Sequence, residues 1–324
     1  MFVPIASHFR NALHALDRFS TALTHQEKHL TTQKVFRNLL YAWLFMNTIV
    51  LLPFHGEVWG PEALVQRPPF DSHSLYHWTF HLAAHPGLQN HYLIFPVAQL
   101  VLLAVAVLFG VAPSLFNLLV CVITINLNNL TPVIVDGGTN LAQLILFYML
   151  FLNTSGKPVR ATWYPLRIGL TAISNAAFLL CRLQVVIVYL CSAILKLNGP
   201  LWQSGMALYY IFQADLFTHP LLYRLIKTFP LLSLVGSYFT VAFEALFPFL
   251  IWLRKTRLVM LLLGVLLHLS IGFGMGLFSF GLVMCVTYTL FVSDETSRGV
   301  VHFFRLKIAS TLSQARRSAT SDDC

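Results

Sequence analysis

The run Ile173-Ser-Asn-Ala-Ala-Phe-Leu-Leu-Cys-Arg-Leu-Gln-Val-Val-Ile-Val-Tyr-Leu-Cys-Ser-Ala-Ile-Leu-Lys196 decides the fold. Its 24 residues hold two charges, Arg182 in the middle and Lys196 at the end. As a helix it extends about 36 Å, enough to cross the roughly 30 Å hydrocarbon core of a bilayer. The rest of the chain follows suit. Of 324 residues, 57% are apolar and 10% charged, where a soluble domain carries about 25% charged residues. Such a surface could not stay in water as a monomer. The reading is all-α: a polytopic integral membrane helix bundle, with the lipid bilayer as its partner and no room for a soluble catalytic domain.

Eight spans are expected, near 35–52, 92–109, 115–130, 141–152, 173–196, 231–253, 258–275 and 277–292. The fourth and eighth are short. The last two meet at Gly272-Phe-Gly-Met-Gly276, a GxxxG pair that lets helices approach closely. Residues 1–34 and 296–324 are tails around a transmembrane domain at 35–295, and the Ser/Arg/Asp-rich end reads as partly disordered.

The net charge of +9 is explained by topology better than by nucleic acid, which is not expected as a partner. Arg10, Arg18, Lys28, Lys34 and Arg37 sit before or at the first span. Arg298, Arg305, Lys307, Arg316 and Arg317 follow the last. Two short loops carry Lys157, Arg160 and Arg167, and Arg254, Lys255 and Arg257. With an even number of spans, the positive-inside rule makes both termini cytoplasmic. Glu57, Glu62, Asp71, Asp136 and Asp215 then fall outside. The segments 53–91 and 199–230 are rich in His, Pro and aromatic residues, including Phe217, and are expected to form interfacial or re-entrant helices at the outer side.

Cys121, Cys181, Cys191, Cys285 and Cys324 show neither metal-ligand nor CxxC spacing. They read as small core residues, and no metal site is expected. No phosphate-binding loop, dinucleotide-binding glycine pattern, nucleophile elbow or zinc motif is present.

Ionisable residues at membrane depth are costly, so each needs a reason. Arg182, Tyr189 and Lys196 are spaced by seven and share one helix face. Lys196 is either a lysine reaching for the interface or a candidate catalytic base in a cleft. Glu244 lies mid-span and reads first as a structural carboxylate, ion-paired or protonated, with Arg182 as its partner if the fifth and sixth spans are neighbours, and second as a residue with a chemical role. His268 lies at similar depth, as a hydrogen-bonded core residue or a relay. Asn126, Asn128, Asn129, Asp136 and Gln143 gather toward the outer side. With Tyr189, Lys196 and Trp202 they are expected to line one polar cavity, although capping and turn chemistry account for Asp136 by themselves.

The block Arg182-Leu-Gln-Val-Val-Ile-Val-Tyr189-Leu-Cys-Ser-Ala-Ile-Leu-Lys196-Leu-Asn-Gly-Pro-Leu-Trp202-Gln-Ser-Gly205 resembles the HTTM (horizontally transferred transmembrane) domain. This is the membrane domain shared with vitamin K-dependent gamma-carboxylase. Asp136-Gly-Gly-Thr-Asn140, Phe243-Glu244 and Leu267-His268-Leu-Ser-Ile-Gly-Phe-Gly-Met275 extend the resemblance across about residues 35–295. In the carboxylase branch, the resemblance implies, the lysine at the position of Lys196 is a base that deprotonates reduced vitamin K on the outer face. A reduced quinone is the cofactor so implied. The chain departs from that branch in lacking its large extra-membrane domain and in carrying Gly138 where an essential histidine is expected. In length it is more similar to short bacterial membrane proteins that mature secreted sporulation-delaying toxin peptides. That branch implies a multi-pass protein of the bacterial inner (plasma) membrane. It would process an exported peptide, with a partner maturation protein. The alternatives are a quinone-linked membrane enzyme, carboxylase- or epoxidase-like, and a non-catalytic binding or transport protein.

Overall fold

The computed structural model describes residues 21, 23–24, 28–61, 63, 70–110, 114–132, 134–158, 160–214 and 220–321, with the backbone alone at 308–309 and 312–321. Arg10, Arg18, Glu62, Asp215, Phe217 and Cys324 lie outside the described residues. Among those described, the chain is helical and has no strand. In order come α1 (Leu30–Leu51), α2 (His55–Trp59), α3 (Leu75–Phe80), α4 (Ile94–Leu108), α5 (Ser114–Leu130), α6 (Gly137–Met149) and α7 (Tyr164–Leu197). Then follow α8 (Pro200–Gln203), α9 (Ala207–Ile211), α10 (Pro220–Thr228), α11 (Leu231–Leu250), α12 (Arg257–Met275), α13 (Phe278–Tyr288) and α14 (Asp294–Ser321).

Four helical stretches are long and apolar enough to cross a membrane: Leu30–Trp59, Tyr164–Leu197, Leu231–Leu250 and Arg257–Met275. Only 33–39% of their most apolar windows is buried inside the chain. The remaining apolar surface needs an apolar solvent, and a lipid bilayer supplies it. The other stretches expected as spans are also helical but shorter than these. Helix α7 starts nine residues before the expected span. Pro165 sits in its first turn, where a missing N–H costs nothing, and no strong breaker separates it from Ile173.

Side-chain hydrogen bonds tie the helices where water is absent. Tyr41 of α1 donates to Asn117 of α5, which donates in turn to the Met149 carbonyl of α6 at 3.3 Å. Gln99 of α4 meets Thr124 of α5 at 3.2 Å. Trp43 of α1 donates to the Ser279 carbonyl of α13, and the Ser279 hydroxyl to Asn47 of α1, both at 2.9 Å. Arg37 is completely buried. It is no part of a solvated tail: its guanidinium donates to the Thr154 carbonyl and to Asn38, locking α1 to the loop after α6.

The glycines of the α12–α13 junction serve contact within the chain. Gly276 ends α12 with φ 73°, a conformation only glycine adopts freely. A Cβ on Gly281 would lie 2.5 Å from the His268 carbonyl oxygen and 3.4 Å from Gly272. One on Gly264 would lie 2.4 Å from the Tyr288 hydroxyl. The two helices form a hairpin whose backbones nearly touch.

The molecule has two distinct ends. At one, Lys34 lies against Gly156, α14 docks on the start of α1, and Arg257 and Arg182 lie near His29. The two basic loops and the starts of α1 and α14 thus gather there. At the other end, α2, α3 and α8–α10 lie across the helix ends. Ser74 caps α3. Helix α10 is strongly amphipathic: it exposes Leu221, Arg224 and Lys227 and buries Ile226. Helix α14 runs to Ser321, and at its start Asp294 accepts from Thr32 N at 3.0 Å.

Gly281→Ala should force α12 and α13 apart and cost about 1–3 kcal/mol, read as a lower Tm in detergent. His29, in a left-handed conformation at φ 59°, stacks on Phe178 at 5.1 Å. Burial, helped by Arg182, lowers its imidazole from 6.5 to about 4. The neutral form is therefore the one the fold favours, and its contribution is complete above pH 6.5 and lost as pH falls toward 4. The Tm should fall across that interval. His29→Asn, which tolerates the same backbone, should flatten the dependence.

Candidate functional site

The last turns of α7 place Tyr189, Ser192 and Lys196 on one face. Lys196 Nζ lies 2.8 and 2.9 Å from the two carboxylate oxygens of Glu244 on α11, and 2.5 Å from Ser192 Oγ. The Lys196 side chain is 20% exposed and that of Glu244 10%. Trp202 of α8 covers the ammonium, its ring centre 5.1 Å away, so a cation–π contact supplements the ion pair.

An Arg182–Glu244 pair does not form. Glu244 stands thirteen residues, about 20 Å, into α11. Were α7 and α11 level at that end, Glu244 would face residue 184, close to Arg182. They are not level. Residues 199–211 fold back along the start of α11, so that α7 ends deep within the bundle. Ser233 accepts from Tyr209 N at 2.8 Å and donates to the Gly205 carbonyl at 3.2 Å, and Tyr238 donates to the Gln203 carbonyl at 2.8 Å. Gly205, at φ 71°, packs on Leu234 so closely that a Cβ would meet it at 2.3 Å. Arg182 lies about 21 Å along α7 from Lys196. It donates to the Leu290 carbonyl at 2.7 Å and stacks on Phe178 at 4.3 Å.

Beneath the pair is a buried hydroxyl cluster. Tyr189 bonds to His268 Nε2 of α12 at 2.7 Å and, by a short hydrogen bond, to Tyr288 of α13. Phe243 and Phe247 pack on the Tyr189 ring at 5.7 and 4.2 Å. Glu244 interacts electrostatically with both tyrosines, and Lys196 with His268. His268 Nδ1 is buried without a hydrogen-bond partner among the described residues. The amine–carboxylate pair and the hydrogen-bonded trio of two phenols and an imidazole lie close enough to interact electrostatically, with no hydrogen bond between the two groups among the described residues. Tyr288 was missed from sequence because it ends an apolar helix like any interfacial tyrosine.

The outer asparagines sit elsewhere. Asn126 accepts from Ala83 N at 3.1 Å and donates to the Thr79 carbonyl at 2.9 Å, and Asn129 donates to the Phe80 carbonyl at 2.9 Å. They fasten α3 and the turn after it onto α5, satisfying carbonyls that a helix end leaves open. Asn128 bonds Gln143 of α6 at 3.1 Å. Asp136 caps α6 through Thr139 N at 2.7 Å. A small cavity of about 40 Å³ lies beside them, lined by Trp43, Asn47, Gln99, Thr124, Asn128 and Thr139. No hydrogen bond among the described residues links this group to Lys196. The residues lining this cavity do not include Tyr189, Lys196 or Trp202. Gly138 packs 2.6 Å, by an added Cβ, from Val283 of α13. A side chain there would require Val283 and Phe280 to shift.

Next to Trp202 is an apolar groove lined by Gly199, Pro200, Leu201, Ala207, Tyr210 and Ile211. Among the described residues no group of three or more His, Cys, Asp and Glu could hold a metal.

Lys196→Met should leave Glu244 buried and unpaired, at a cost of about 3 kcal/mol. Adding Glu244→Leu should return most of that stability, read as Tm in detergent. Recovery by a Glu244→Arg, Arg182→Glu exchange instead would contradict the geometry. Comparison with known proteins gives no family model, no curated protein and no solved structure that matches the chain.

Proposed function

We propose that this is an eight-span membrane protein of the HTTM type whose functional centre is the Lys196–Glu244 pair, and that it processes an exported peptide. The shorter helices α4, α5, α6 and α13 complete the spans in this reading. Both termini are cytoplasmic in this reading, supported by the basic loops gathering with the starts of α1 and α14 at one end, and the Lys196 site opens toward the other. The bilayer is the bacterial plasma membrane, and a partner maturation protein and the peptide approach from outside.

One observation carries the proposal: a lysine–carboxylate pair inside an apolar bundle, covered by a tryptophan that also borders an apolar groove. Buried charge of this kind is expensive and is retained for function more often than for stability. A groove of that lining suits an apolar or amphipathic segment. Its polar end would meet Lys196, which can hold an anionic group or donate a proton, while Glu244 takes up the opposite role.

The quinone-linked reading shares the site. There Lys196 is the base, Glu244 receives its proton so that the amine is neutral, and the groove takes the quinone. The Tyr189–Tyr288–His268 cluster favours it, since it offers an onward proton route. Gly138 weighs against a carboxylase-like reaction, since the expected histidine there would require Val283 and Phe280 to shift.

Mass spectrometry of peptides secreted by the native host with and without the protein separates these readings. Loss of the protein should change the mass or amount of one secreted peptide, and Lys196→Met at normal protein level should reproduce that change. An unchanged set of secreted peptides would remove the first reading. For the second, the purified protein should speed the oxidation of a reduced quinone by dissolved dioxygen, which takes up the two electrons and two protons, and Lys196→Met should slow this by about a hundredfold. Equal rates would remove lysine catalysis.

A further inference from the structure

At the basic end, far from Lys196, the structure holds a second cavity, of about 490 Å³, between the start of α1, the loop after α6 and the third turn of α14. Lys34, Asn38, Gly156, Arg298, His302 and Arg305 line it, with no acidic side chain in the wall. Arg298, His302 and Arg305 stand at i, i+4 and i+7 on α14, one face of that helix. The charged groups that act on Lys34 are Arg37, Arg305 and Lys157, all cations. Among the described residues neither Lys34, Lys157 nor Arg305 has a carboxylate partner. Asp294 is held by Thr32 and reaches Arg298 at 3.6 Å. The loop is shaped to the lysine. Gly156 has φ 72°, and a Cβ there would stand 3.0 Å from Lys34 Cδ.

Lys34 and Arg305 converge with no counter-charge among the described residues, a gap that an anion fills. We propose that this cavity is a phosphate-recognition site for the headgroup of an anionic phospholipid. The lipid source is favoured by what lies next to it. Val35 and Val301 line the same cavity, and Leu306 of α14, 59% exposed, sits next to His302 around the helix, an apolar strip beside the basic one. A free phosphate has no use for that strip. A lipid in a bilayer places acyl chains against it while its phosphodiester meets Lys34 and Arg305. Bound there, the lipid would clamp α14 to α1. The inference rests on the membrane-spanning reading and not on the chemistry of Lys196.

The test titrates short-chain phosphatidylglycerol, short-chain phosphatidylcholine and inorganic phosphate into the full chain in neutral detergent, with Tm as readout. Phosphatidylglycerol should raise Tm at concentrations where the other two do not. Lys34→Gln with Arg305→Gln should weaken its apparent affinity about thirtyfold. Arg224→Gln with Lys227→Gln, at the opposite end, should leave it unchanged. Should the first double variant fail to fold, the exposed Arg298→Gln should still weaken binding about fivefold. Equal affinity for wild type and the basic-site variants, or no response to phosphatidylglycerol, would overturn the site. A matching response to inorganic phosphate would overturn the lipid as its ligand.

Discussion

A polar group inside this chain has only the chain itself to supply a partner, because the surrounding apolar phase offers none. Much of the structure follows from that constraint. Tyr41, Asn117 and the Met149 carbonyl link three helices in one line. Arg37, completely buried, is satisfied by a carbonyl and an amide. The asparagines of α5 hold down a segment that would otherwise leave open carbonyls at the membrane surface. Hydrophobic collapse alone would not choose among helix arrangements here, since lipid is as apolar as leucine. The hydrogen bonds and the close glycine contacts do.

The same constraint explains the composition of the Lys196 site. A lone lysine at that depth would have to lose its proton or reach the interface. Glu244 and Trp202 remove the need for either. The arrangement depends on the fold-back of residues 199–211, which occupies the first turns of α11 and sets the end of α7 lower than the start of its neighbour. Ser233, Ser237 and Gly236 make that contact possible: two hydroxyls bond the incoming backbone, and the glycine leaves room for Leu208. The site is therefore built by the cap as much as by the two helices that carry its charges.

Reading the residues in order found the face bearing Tyr189 and Lys196, because helical spacing is a local property. It also marked Glu244 and His268 as requiring partners. It could not pair them. The depth of a residue in a bundle depends on where each helix ends relative to the next, and that offset comes from contacts between distant segments. Equal ends pointed to Arg182, and the real offset gives Lys196. The outer asparagines illustrate the same limit. Their polarity in an apolar helix was conspicuous, but whether they face a cavity or a folded-back segment is decided by α3, some fifty residues away in sequence.

What the sequence by itself determined is the helical membrane architecture: long apolar runs and basic residues gathered at their ends follow from transfer energies, which act residue by residue. What only the tertiary structure decided is which charges meet. It joined Lys196 to Glu244, set the Tyr189–Tyr288–His268 cluster beneath them, and brought Lys34, Arg298 and Arg305 around one cavity. Those are differences in register of a few ångströms between packed helices, and electrostatic pairing at short range is decided on that scale.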